Sequence, residues 1–154
     1  MSVPSLAELV PVLQTAIGPV ILISGVGLLL LSMTNRLGRV IDRARILHGV
    51  LRSEDAVMRE RATAQLPILW RRAALIRKAI FLSTVSALLA ACLIITLFIA
   101  ALLGLDAGGL IALLFVGCLV ALIWSLVLFL KDVNQALVAL KLELGDAVGE
   151  APRV

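Results

Sequence analysis

The chain has 154 residues, 62% apolar and only 16% charged, with a formal net charge of +4 and a mean hydropathy of +1.13. A soluble domain is usually about 45 to 50% apolar, so the composition excludes a water-soluble globule and leaves an integral membrane protein. The two cysteines, Cys92 and Cys118, lie within apolar runs, where small packing residues are the ordinary expectation, and point to neither a disulfide framework nor a metal site.

Three stretches, residues 12–33, 79–103 and 110–130, are long enough to cross a hydrocarbon core that needs about 20 helical residues. None contains Asp, Glu, Lys, Arg or His. Eleven of the fourteen Lys and Arg fall in residues 34–78, against four acids, so the positive-inside rule predicts a cytoplasmic loop there. Glu8 is the charge before the first span and Asp106 the charge in the turn between the second and third, which suits the opposite side. Three crossings then put the N-terminus outside and the C-terminal tail, with Lys131, Lys141 and Arg153, inside. The first span is read as a retained helix, because no Lys or Arg precedes it and no small-residue cleavage site comes after it.

In chain order, Ser5 with Glu8 fits a capping box, which starts a short helix on the outer surface, and Pro11 and Pro19 are expected to bend the helix beyond them. Within the first span Gly18, Gly25 and Ser32 recur every seven residues with Gln14 just above, so small residues share one face. That line continues into Arg36, Arg39 and Arg43. Beyond the span, Leu37, Val40, Ala44, Leu47 and Leu51 keep a 3,4,3,4 spacing, the pattern of a helix that buries one seam against others. Asp42 between Arg39, Arg43 and Arg45 reads as a structural ion pair at helical spacing.

After Leu51 the pattern breaks, and Ser53 before Glu54 and Asp55 predicts a new N-cap. Pro67 is expected to kink or restart this second helix. From Leu66, the series Leu69, Ala73, Ile76 and Ile80 leads straight into the second span, while Arg71, Arg72, Arg77 and Lys78 occupy the other faces, within reach of lipid phosphates. The turn at residues 104–109 forces an antiparallel hairpin; reflection about its centre sets Thr96 level with Gly117 and Cys92 with Ala121. Rows of small residues, Gly117, Ala121 and Ser125 on one helix and Ser83, Ala87 and Ala91 on the other, are expected to face each other or the first helix. Trp124 fits an interfacial anchor. The third helix continues past Leu130, with a seam of Val133, Leu137, Leu140 and Leu144 through a polar stretch that includes Asp132, to a C-cap at Gly145. The expected fold is therefore all-α: one membrane domain over residues 1–154, three transmembrane helices, and amphipathic cytoplasmic extensions at residues 34–78 and 131–145.

Enzymatic chemistry finds little support. His48 is the single histidine and has no second ligand at helical spacing, and neither a phosphate-binding glycine loop nor a nucleophile elbow is present. No cofactor or metal is expected. The basic loop offers only Trp70 for stacking, which argues against nucleic acid as a partner.

The stretch from Thr34 through Arg36, Arg39 and Asp42 to Arg45, together with Leu66-Pro67-Ile68-Leu69, Arg71-Arg72-Ala73 and Leu75-Ile76-Arg77, resembles a bacterial family of small three-helix membrane proteins known only as a domain of unknown function. The resemblance covers residues 14–140. It implies a bacterial inner-membrane location and brings neither an activity nor site residues.

Coupled transport normally needs a titratable residue near the midplane, and these spans hold none. The most specific expectation is a homo-oligomeric ion-conducting pore, lined by Gln14, Gly18, Gly25 and Ser32 of the first helix and opening at a basic mouth. The alternative is a non-conducting scaffold or regulator that binds acidic lipids or a cytoplasmic partner through Asn35, Arg36, Arg39, Arg43, Arg71, Arg72, Arg77 and Lys78.

Overall fold

The computed structural model describes residues 6–51 and 56–149. Three helices make up almost all of them: α1 (Leu6–Val50), α2 (Ala56–Leu103) and α3 (Gly108–Gly149). All three are long and apolar enough to cross a membrane, and all three continue beyond the apolar stretch. The expected caps at Ser5 and at Ser53 with its two acids lie outside the described residues, as do the side chains of Leu137, Leu140 and Leu144.

The restart expected at Pro67 and the C-cap expected at Gly145 do not occur. Pro11 and Pro19 lie within α1, and α2 runs through Pro67 without a restart. A proline removes one backbone hydrogen bond, and a long helix held by packing on both sides of the gap absorbs that loss. α3 likewise passes through Gly145, because one helical glycine costs only about 1 kcal/mol relative to alanine.

α2 is the central element. α1 and α3 both pack along it and hardly meet each other. Lipid tails are as apolar as leucine, so such helices associate through close van der Waals packing and interhelical hydrogen bonds rather than through hydrophobic force. Burial follows a heptad accordingly. Val26, Met33 and Val40 on α1, Leu69, Ile76, Ser83 and Ala90 on α2, and Cys118, Ser125 and Asp132 on α3 are buried at seven-residue intervals. A second α2 row of Ala79, Ser86 and Leu93 starts three residues on, which at 3.6 residues per turn is about 60° around the helix. These adjacent stripes let one helix serve two partners. The seams expected on α1 and α2 are the ones found, since Met33, Val40, Leu69, Ile76 and Ala79 form a cluster flanked by Leu37, Ala44, Leu47, Ala73 and Ile80.

Serines hold α2 to α3. Ser125 Oγ donates to the Ala79 carbonyl at 2.7 Å and lies 2.6 Å from Ser83 Oγ. A hydroxyl carries one hydrogen; with that of Ser125 committed to Ala79, Ser83 is the donor to Ser125, and Met33 Sδ at 3.9 Å becomes its packing neighbour. Ser86 and Cys118 exchange bonds reciprocally, the hydroxyl to the Cys118 carbonyl at 2.9 Å and the thiol to the Ser86 carbonyl at 3.2 Å. The expected row of Gly117, Ala121 and Ser125 does face α2, but in a different register. Gly117 lies against Leu89, not Thr96, and Leu93 and Leu97 share a cavity wall with Ile111 and Phe115. The fold-back is centred on Gly104, because Gly108 and Gly109 already belong to α3.

Gly104 has a φ of +62°, and the Leu105 N–H reaches back to the Ala100 carbonyl at 3.0 Å, the left-handed termination that satisfies free carbonyls at a helix end. A left-handed side chain costs roughly 1–2 kcal/mol, so Gly104→Ala should lower unfolding stability in mixed micelles by about 1 kcal/mol. At the seam, Ser125→Ala should cost about 0.6 kcal/mol, the average for a membrane hydrogen bond, whereas Ser125→Leu forces the backbones apart and should cost about 1–3 kcal/mol. Equal losses for both Ser125 variants would contradict the close packing.

Candidate functional site

At its basic end the molecule buries a charge. Asp132, on α3 just beyond the apolar stretch, is 0% exposed. Its Oδ2 accepts a hydrogen bond from Arg36 of α1 at 3.3 Å, and its Oδ1 accepts one from Arg72 of α2 at 3.5 Å. One carboxylate thus takes a guanidinium from each of the other helices. A buried charge is tolerated only when paired and hydrogen-bonded, and both arginines keep partial contact with solvent, at 31% and 22% exposure. The Arg36 guanidinium also sits 5.1 Å from the centre of the Phe129 ring, a cation–π contact that fixes its direction toward α3.

Arg36, Arg39 and Arg43 recur at spacings of three and four, so they share one face of α1. With Arg72 they line a cavity of about 340 Å³, bounded also by Val40, Leu69, Ile76, Asp132 and Ala136. Lower on α1, Asp42 pairs with Arg45 at 3.8 Å, the i,i+3 contact expected. A second, more apolar groove of about 400 Å³ is formed by Leu37 and Ile41 of α1 and by Trp70, Ala73, Ala74, Arg77 and Lys78 of α2. Trp70 is 79% exposed. Trp70, Ala74, Arg77 and the exposed Phe81 lie along one face of α2, so this groove passes from basic to apolar surface along the helix.

The sequence-predicted residues therefore separate. Arg36, Arg39, Arg43 and Arg72 meet in one cleft, Arg77 and Lys78 meet beside Trp70 in another, and Asn35 and Arg71 are exposed and line neither. Gln14, Gly18, Gly25 and Ser32 form an exposed line along α1. Gly25 and Ser32 each precede a buried α1 residue, Val26 and Met33, by one position, which turns them about 100° away from α2. A Cβ added at Gly18 or Gly25 would meet nothing within 4 Å. Among the described residues no three His, Cys, Asp or Glu side chains are grouped as a metal site would need.

A family model described as a protein of unknown function, DUF2721, matches residues 16–142. The chain belongs to the DUF2721 family. No curated protein and no solved structure matches it. The resemblance drawn from the sequence, over residues 14–140, corresponds closely to the DUF2721 match, which takes in all three helices, both grooves and Asp132.

In this DUF2721 chain Asp132 is the residue that sequence reasoning misplaces. Spacing assigns it to a solvated polar stretch beside a seam through Val133; Val133 is half-buried and Asp132 is the one fully enclosed. The signal is present, since Asp132 stands seven residues after Ser125 and fourteen after Cys118, on the same heptad row. Removing one partner of a buried ion pair costs about 3–5 kcal/mol. Both arginines retain solvent, so Asp132→Ala should cost less, about 2 kcal/mol in mixed-micelle unfolding. The triple variant Arg36→Met, Arg72→Met, Asp132→Leu should regain most of that. A triple variant no more stable than Asp132→Ala would show that charge balance is not what the site supplies.

Proposed function

We propose that this DUF2721 protein is a non-catalytic membrane scaffold whose basic end, on the cytosolic face, grips anionic lipid. The observation that carries this reading is the exposed face of α2 at the edge of the apolar stretch, where Trp70, Arg77 and Lys78 line a groove with an apolar floor and Arg71 stands exposed outside it. Tryptophan favours the headgroup level, and each Lys or Arg near an anionic surface is worth about 1 kcal/mol. The groove offers apolar wall to an acyl chain and cations to its headgroup. Further support comes from Arg36 and Arg72, which are turned inward to Asp132 and so contribute less to a ring around an external symmetry axis.

A second reading, a homo-oligomeric pore lined by α1, is favoured by one observation: Gln14, Gly18, Gly25 and Ser32 lie exposed along a single line. Copies of α1 around an axis would bring these positions together, with Arg39 seven residues below Ser32 at the mouth.

In nanodiscs of graded phosphatidylglycerol content, the full chain should enrich the anionic lipid around itself, and Arg71→Glu, Arg77→Glu, Lys78→Glu together should abolish the enrichment. Indifference of the wild-type chain to lipid charge would overturn the scaffold reading. For the pore, cysteines at positions 25 and 32 in a Cys92→Ala background should react with a charged aqueous thiol reagent and block single-channel current in planar bilayers. Unreactive cysteines and silent bilayers would remove that reading.

A further inference from the structure

Along the groove between α1 and α2 the chemistry changes in a fixed order. Phe81 stands exposed within the apolar stretch, Arg77 and Lys78 stand at its edge, Ala73 and Ala74 follow, and the exposed Trp70 comes last. Phe81, Arg77, Ala74 and Trp70 succeed one another at spacings of four, three and four, so they share one face of the helix. Leu37 and Ile41 of α1 supply the opposite wall, and the lining holds two cations and no acid. An anion in the groove is therefore met by positive charge at one level, that of Arg77 and Lys78. Distance along the axis decides what the rest of the groove meets. Trp70 precedes Ala79, where the second apolar stretch begins, by nine residues, which at 1.5 Å per residue is about 13 Å. The polar layer on each side of the hydrocarbon core is only about 5–7 Å deep, and a helix tilt of about 20° shortens the distance by about 1 Å. Trp70 thus stands beyond the depth of the phosphates, about 10 Å along the axis from Arg77.

We propose that this groove selects a phosphodiester lipid whose headgroup ends in a polyhydroxylated six-membered ring, a sugar or a cyclitol, with the phosphate on Arg77 and Lys78 and the ring stacked on Trp70. The proposal rests on the reading of the basic end as a grip on anionic lipid, and it names the lipid class. A phosphate held at Arg77 and Lys78 leaves the indole uncovered unless the headgroup continues outward past it. A terminal glycerol is short and has no flat face. A hydroxylated ring reaches further; its face is made of C–H groups and its rim carries the hydroxyls. The electron-rich face of an indole attracts the slightly positive C–H groups, while the hydroxyls stay in water. Ala73 and Ala74, the smallest side chains in the lining, leave room for the ring between Trp70 and the cations. The acyl chains then run past Phe81. Shape makes the selection rather than charge, since a ring-bearing phosphodiester and a glycerol one carry the same single negative charge.

Competition on the full chain tests it. In nanodiscs holding phosphatidylinositol and phosphatidylglycerol at equal mole fraction, with matched acyl chains and a neutral lipid as the remainder, phosphatidylinositol should be enriched around the protein about threefold or more over phosphatidylglycerol, as one aromatic-face contact supplies. Trp70 is exposed, so Trp70→Ala should fold normally; it should bring the two anionic lipids level while both stay enriched over the neutral one, and Trp70→Phe should keep part of the preference. Arg77→Gln with Lys78→Gln should weaken both anionic lipids alike. In a Trp124→Phe background, the fluorescence of Trp70 should shift on adding phosphatidylinositol and not on adding phosphatidylglycerol. Equal enrichment of the two anionic lipids by the wild-type chain, or a preference that survives Trp70→Ala, overturns the ring site and leaves the scaffold reading standing. Failure to enrich either anionic lipid over the neutral one overturns the scaffold reading and the ring site with it.

Discussion

A carboxylate with no solvent exposure, at the level where an apolar helix becomes a basic one, is the constraint on which the rest of the molecule depends. The Asp132 carboxylate can be enclosed at a tolerable cost because two arginines reach it from two other helices. The arrangement reads in both directions, since the acid draws Arg36 and Arg72 inward and the arginines make the acid's burial possible. α1 and α3 barely touch along their backbones, so the long side chain of Arg36 supplies a direct tie between them. Without it each outer helix would be held by α2 alone.

Above that tie the packing is inside-out compared with a water-soluble bundle. Leu28, Phe81, Leu88 and Leu113 point outward, while Ser83, Ser86 and Ser125 are fully enclosed. Leucine gains nothing by leaving lipid for protein, but a serine hydroxyl gains a partner, and its small size lets two backbones come close. The two stripes on α2, set a sixth of a turn apart, make the middle helix the template against which both others are aligned. Separate cavities lie against α2 at its apolar and basic ends.

Much of this is legible from residue spacing. The 3,4 pattern from Leu37 to Leu47 and from Leu66 to Ile80 locates the buried seams because it continues through polar sequence, where an apolar residue has to be explained. Inside the spans the same pattern is uninformative, since nearly every position is apolar, and there the small polar residues are the better guide. The hairpin register is misread because Gly108 and Gly109 look like turn although they open α3. Asp132 is misplaced for a related reason: sequence assigns a charge to the surface by default, and only the positions of Arg36 and Arg72 on two other helices make its enclosure possible. The grouping of arginines into two separate sites depends on which helix faces which, a relation no single stretch of sequence contains.

All three helices continue from the apolar stretch into the basic zone as unbroken helix, through Pro67 on α2 and through the Asp132 level on α3. A stiff rod turns inclination at one end into lateral travel at the other. Membrane helices can adjust to bilayer thickness by changing tilt, and a helix that continues unbroken past its apolar stretch carries any such tilt through to the guanidiniums at its basic end.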